Sequence, residues 1–340
     1  MKHATFTTLL AAPLLAILGF ASPGASADIE TDKLTCAFTF WPGQGVYFLA
    51  QELGYFDEEG VEIDLIHEDD IQVQTEAMDA GQLNCNSRTI GEYQSRPRNK
   101  ETKGIVIGAM DVSLGGDGVV VSGDIKDVCE LEGKTFAMEP TLPANLLLQI
   151  ELKEKCGLTL DDLDILHIAT ADGLAVFEDP AVSAVESYEP LLSQIVANTS
   201  REGAYKLVDS ADHPTLIVDV WFLHNDLIAA NPELIRSMLR AVYRAIDFYF
   251  ENPDRSHEIM APNYNLTTEE MAEAFEGLRF TTYEEALELF GTPDAPGPFK
   301  ETFDTVMQLN IEQGVADEAL LYEDQVDASL LVDLFEGHTR

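Results

Sequence analysis

From Leu34 onward, short apolar runs alternate with stretches whose apolar positions recur at helical spacing. Leu34–Phe40 reads as a buried strand, and Gln44–Phe56 as a helix with Val46, Leu49, Ala50 and Leu53 on one face. Val61–Ile66, Leu83–Ser87 and Ile105–Met110 are further strands, with a helix over Ile71–Ala80. Strands separated by helices of this length predict βαβ units and a parallel sheet covered on both faces.

The rhythm restarts at Asp117. Gly118–Ser122, Thr135–Glu139, Leu163–Ile168 and Ala181–Val185 read as extended, with helices over Ala144–Lys155 and Leu174–Glu178. Thr215–Leu223 is a longer apolar strand, and the remainder is mostly helical. Its clearest helix is Pro232–Phe250, where Leu234, Met238, Val242, Ile246 and Tyr249 share a face. The pattern predicts an α/β protein of two lobes, one built from residues 28–117 and 220–340, the other from 118–219. Two chain crossings make a hinge, and a ligand site belongs in the cleft between the lobes, at the carboxyl ends of strands.

The first residues change the picture. Lys2 and His3 precede the apolar stretch Leu9–Phe20, and Ala25-Ser26-Ala27 supplies a small-x-small cleavage pattern. The run is too short to span a bilayer, which takes about 20 apolar residues. Residues 1–27 are therefore read as a signal peptide cleaved after Ala27, leaving a protein exported to the periplasm. With 61 acidic and 20 basic residues the formal charge is −41, a surface that repels nucleic acid and anionic lipid. The acids are spread along the whole chain, as in a protein adapted to salt. Four cysteines allow three pairings. Cys36–Cys85 and Cys129–Cys156 stay within lobes and leave the hinge free; buried free thiols are the competing reading. Neither the cysteines nor the seven histidines have metal-ligand spacing, so no metal or cofactor is expected.

Several motifs then occur in a familiar order. In Trp41–Ile63, residues Ala50, Gly54, Phe56 and Gly60 keep an Ala-x-x-x-Gly-x-Phe-x-x-x-Gly spacing. Asp127–Lys134 follows, then Ser183–Pro190, then Leu216–Trp221 with its Asp219-Val220-Trp221. In this order they resemble the periplasmic substrate-binding proteins of ABC transporters for nitrate, sulfonates, taurine and thiamine-type pyrimidines. The resemblance covers nearly all the chain after residue 27. It implies a periplasmic-binding-protein type II-like fold with a helical C-terminal part, and a monomer that delivers its ligand to an ABC permease of the inner membrane. It further implies a small nitrogen-bearing ligand, a taurine-like aminosulfonate or an aminopyrimidine.

The candidate site follows from the same motifs. Gly43 and Gln44 sit in a Pro-Gly-Gln-Gly turn whose free N–H groups would favour an anion, or which simply joins a strand to a helix. Trp41, Tyr188 and Trp221 are candidate aromatic walls, or core. Asp117, Glu139, Glu186, Glu189 and Asp219 end strands or begin helices where a carboxylate would accept from a ligand amine; with so many acids, capping is the competing role for each. Asp219 stands out because an unpaired charge inside an apolar strand is costly. Arg88 either holds an acidic group or pairs with Glu92 four residues on. Gly-x-Ser-x-Gly and His-Glu-x-x-His are absent, so a binding protein is expected rather than an enzyme. A secreted enzyme on the same fold and a receptor's ligand sensor are the alternatives.

Overall fold

The structure, a computed structural model, describes residues 29–340, and the expected signal peptide lies outside them. In chain order the main strands are β1 (Leu34–Phe38), β2 (Ile63–His67), β3 (Cys85–Thr89), β4 (Ile105–Ser113), β5 (Asp117–Val121), β6 (Thr135–Met138), β7 (Asp164–His167), β8 (Val182–Tyr188), β9 (Tyr205–Asp209), β10 (Val218–Leu223) and β11 (Leu278–Phe280). They form one sheet of order β11-β4-β10-β3-β1-β2 and a second of order β7-β6-β8-β5-β9. The α/β class and the helical C-terminal part are as the pattern predicts.

Neither sheet is all-parallel, which corrects the expected arrangement. β10 runs antiparallel to both β3 and β4, and β5 antiparallel to β8 and β9. The chain leaves the first sheet at the end of β4 and returns to that same end, so the returning strand must run the other way. Sheet membership also moves the two boundary residues: Asp117 opens β5 in the second sheet, and Asp219 lies in β10 in the first.

Local chemistry sets the other differences. The helix expected over Gln44–Phe56 is split into a 3-10 turn Pro42–Gly45, a helix Val46–Glu52 and a turn of helix Tyr55–Glu58. Gly54 makes the break at φ 78°, a left-handed conformation that glycine adopts without penalty. β3 runs on through Arg88 and Thr89, and β4 runs past Met110 to take in Asp111. The helix Pro232–Glu251 begins with proline at its first turn and the Asn231 side chain accepting from Leu234 N, both favourable at a helix start. Its apolar face covers the first sheet, where Tyr243 meets Trp221 edge-on at 5.5 Å.

The two crossings, residues 114–116 and 210–217, are stitched together. Ser210 Oγ bonds Ser113 Oγ at 2.6 Å and accepts from Gly115 N at 2.7 Å, and Ser113 N donates to Ile217 O. Gly116 and Gly277 touch backbone to backbone, so closely that a Cβ on Gly116 would stand 2.6 Å from Gly277 O. Disulfides join Cys36 to Cys85, across the neighbouring strands β1 and β3, and Cys129 to Cys156, between a 3-10 turn and the end of a helix; no described cysteine is free. Among the described residues, no helix is long and apolar enough to cross a membrane.

Candidate functional site

The strand ends that face each other across the crossings converge on a cavity of about 30 Å³. Trp41, Gln44, Arg88, Asp117, Tyr188 and Asp219 line it together with Thr39, Thr89, Glu92, Leu142 and Pro143. Six residues picked from five separate stretches of sequence are thus brought to one place. Outside it opens a cleft of about 640 Å³, to which Phe40, Glu139, Tyr188 and Tyr264 contribute. Among the described residues Tyr188 alone lines both spaces. Its ring meets Trp41 edge-on at 6.3 Å, an aromatic contact between the loop after β1 and the end of β8.

The cavity wall is rich in buried acid. Asp219 is 3 % exposed and its Oδ2 has no hydrogen-bond partner. Its cross-strand neighbour on β4 is Asp111, fully buried, which accepts from Trp41 Nε1 at 3.1 and 3.2 Å. Burial raises the Asp111 carboxyl to about 7, against the Trp41 hydrogen bond. Burial first, and then the charges of Asp111, Glu92 and Asp117, hold Asp219 well above the ordinary range. The two carboxyls titrate as a pair. Asp117 is also raised to about 7, by burial and against a bond from Ser113.

Arg88 is committed elsewhere. Its guanidinium donates to Glu92 Oε1 at 2.8 Å, to Gln74 Oε1 at 3.0 Å and to the Asp69 carbonyl, and Arg88 and Glu92 side chains are 8 % and 6 % exposed. Of its two expected roles it takes the pairing with Glu92. Glu92 in turn closes a capping box with Thr89, its Oε2 accepting from Thr89 Oγ1 at 2.9 Å.

The turn expected to offer N–H groups to an anion, or simply to join a strand to a helix, packs against Asp111. A Cβ on Gly43 would stand 2.0 Å from Asp111 Oδ2, so the glycine there makes room for the protein's own carboxyl. Gln44 braces two strand ends, donating to Ser87 O at 3.0 Å and accepting from Thr39 N. Glu139 lies at the outer cleft with its carboxylate on Thr170 N and Oγ1 at 2.8 and 2.7 Å, a cap on the turn that follows β7. Glu189 lines neither space and accepts from Ser193 Oγ at 2.7 Å, at the start of the helix Leu191–Asn198. Glu186 is buried in the second sheet and accepts from Glu139 N; burial holds it well above the usual range.

Trp221 is core, not wall. It shares a strand face with Asp219, but two residues of strand carry it about 6–7 Å deeper, under Tyr243. Asp111, by contrast, escaped the sequence reading. The signal that singles out Asp219, one acid in an apolar run, is also present in Ile105–Val112.

Residues 41–256 match the family model described as NMT1/THI5 like. A binding protein of Brucella abortus (strain 2308) is 24% identical over 266 residues, 77% of this chain and 78% of the relative. The 4-amino-5-hydroxymethyl-2-methylpyrimidine phosphate synthase of Aspergillus parasiticus is 25% identical over 244 residues, 68% of this chain and 70% of that one. Among solved structures, the periplasmic aliphatic sulphonate binding protein SsuA from Escherichia coli superposes with a TM-score of 0.73 at 15% identity, over 88% of this chain and 92% of that one. With the model matching more than half its length, the chain belongs to the NMT1/THI5-like family and carries the two-lobed fold of periplasmic solute-binding proteins.

Proposed function

We propose that this protein is the extracytoplasmic solute-binding component of an ABC importer, and that it captures a small nitrogen-bearing organic molecule, a cation or an aminopyrimidine-like base, between its lobes. The lobes are residues 29–116 with 218–340 and residues 117–217. They close on the ligand as a hinge, because the ligand makes its better contacts in the closed state, and the closed protein, a monomer, hands the ligand to the permease. The Brucella and Escherichia relatives are named as binding proteins, which supports carriage rather than catalysis.

One observation carries the ligand class. Arg88, the one cation among the described lining residues, is spent on Glu92, Gln74 and Asp69, while the acids Asp117 and Asp219 line the same cavity. A sulfonate or nitrate would meet carboxyls and no free positive charge; an amine or a protonated ring nitrogen would meet the carboxyl-bearing side chains of Asp117 and Asp219. That argument favours the nitrogen base over the taurine-like aminosulfonate. The name of the Aspergillus relative, an aminopyrimidine phosphate synthase, supports the same class.

A thermal-shift series tests it, since a ligand that binds the folded state raises its apparent stability. Aminopyrimidines and small amines are expected to raise the midpoint. Stabilisation by nitrate, taurine and alkanesulfonates with none by the bases would reject the assignment.

A further inference from the structure

The site has two spaces of very different size, and the smaller one limits what can enter it. The inner cavity, about 30 Å³, has room for something on the order of one or two water molecules. A single nitrogen with its hydrogens fits that space. A ring-sized body does not. The outer cleft, about 640 Å³, is of the size that holds whole organic ligands.

The two spaces also differ in chemistry. Asp219 and Asp117 line the inner one, with Asp111 opposite Asp219 on β4; Asp219 Oδ2 itself is sealed behind the wall without a hydrogen-bond partner. The outer one is walled by the rings of Phe40, Tyr188 and Tyr264 and by Leu191 and Leu266. Those rings are held in place: Phe40 lies 4.3 Å from the His67 ring and 6.3 Å from Tyr264. Its remaining charged lining is acidic, Glu68, Asp69, Asp70 and Glu139. Tyr188 stands at the junction of the two.

From this we infer that the ligand binds head-in: a primary amino group enters the inner cavity and donates to Asp219, while a planar or apolar body remains outside against Phe40, Tyr188 and Tyr264. The inference rests on the nitrogen-base reading above and narrows it to primary amines carried on a ring-sized body. Both parts of such a molecule gain. The amino group brings a hydrogen-bond donor to the acidic lining of Asp219 and Asp117, and the body covers aromatic faces that also attract positive charge. Tyr188 then sets specificity by fixing how the head and body are joined.

Calorimetric titration of the protein with matched probes tests the geometry: 2-phenylethylamine and 4-amino-2-methylpyrimidine, each against its fully N-methylated counterpart, with methylamine as a head without a body. At least one primary amine should bind about 10- to 100-fold more tightly than its methylated partner, the loss expected when a charge-assisted hydrogen bond is removed. Tyr264→Ala should weaken that primary amine and leave methylamine unchanged. Asp219→Asn should bring the primary and methylated probes together, with circular dichroism reporting that the variant is folded; the probe series on the unaltered protein stands if it is not. Equal binding of primary and methylated probes overturns the head-in arrangement while leaving the nitrogen-base reading intact. Binding of neither primary amine overturns both.

Discussion

Asp219 and Asp111 face each other across the antiparallel pair β10–β4, two carboxyls at one rung of a buried sheet. Like charges directly opposite are unfavourable on a sheet, and burial adds to the cost of ionising either. The pair is stable only while it holds a proton or meets a cation, which ties both stability and binding to pH.

Stability of the unliganded protein should fall as pH rises from about 4 to about 7. Asp111 and Asp117 move from an ordinary 3.8 to about 7 in the folded chain. Between those values the folded state holds more protons than the unfolded state, so raising the pH favours unfolding, and the contribution of these two groups levels off above about 7. Asp219 and Glu186, also raised, add in the same direction. Growing repulsion among the surface acids acts the same way, so the measurement is a difference: thermal midpoints at pH 5 and pH 8 for the natural chain and for Asp111→Asn. The variant should show the smaller drop, and equal drops would mean that the buried pair stays charged throughout.

Arg88→Met should destabilise the protein by about 3–5 kcal/mol, the cost of leaving a buried partner charge unpaired. The exposed carboxylate of an ordinary surface pair would not behave so, but Glu92 is 6 % exposed in its side chain and also caps its own helix. Adding Glu92→Gln should restore much of the loss. Neither variant should create or abolish anion binding. Chemical denaturation measures the first effect and titration with benzenesulfonate the second.

The two-lobed fold was legible because it rests on periodicity and on the order of weak motifs, both of which survive in a single sequence. Strand direction was not, since βαβ spacing says nothing of a strand that returns from another lobe. The site divides in the same way. Asp219 was marked by an acid in an apolar strand, and Asp111 bore the same mark unnoticed. Glu139 and Glu189 were picked by position at strand ends, and both cap the elements that follow. Position along a chain does not say which neighbour a carboxylate meets. Trp221 and Trp41 show the limit for aromatics: one lies under Tyr243 and the other against Tyr188, a difference of depth along the strands that alternation does not encode.

Removing Cys129 and Cys156 together by serine should lower stability by ~3.5 kcal/mol, and removing Cys36 and Cys85 by ~4 kcal/mol, the entropies of unfolded loops closed by positions 27 and 49 residues apart in sequence. Both bonds lie within a lobe, so ligand affinity should be preserved in whichever variant folds. Counting thiols in denatured exported protein should find none. Four would mean that the pairs do not form, and mass mapping would identify any bond made between lobes.

Trp41→Phe should move the pH at which amine binding is half-maximal upward by about one unit. The indole Nε1 is the donor to Asp111 at 3.1 and 3.2 Å, and that bond opposes the rise that burial imposes. Phenylalanine keeps an aromatic face toward Tyr188 but offers no hydrogen. A charge-assisted hydrogen bond is worth about 1.5–3 kcal/mol, or roughly one to two units of pKa. Without it the carboxyl pair keeps its proton to higher pH, and a cation must displace that proton to bind. Affinity at pH 6 should therefore fall by about tenfold, one unit's worth, while affinity well above the new midpoint should match the natural chain. Titration of 2-phenylethylamine across pH 5–9 separates the outcomes. A parallel loss at every pH would mean that Trp41 acts by packing against Tyr188, and an unmoved profile would mean that Asp111 does not exchange its proton with the ligand.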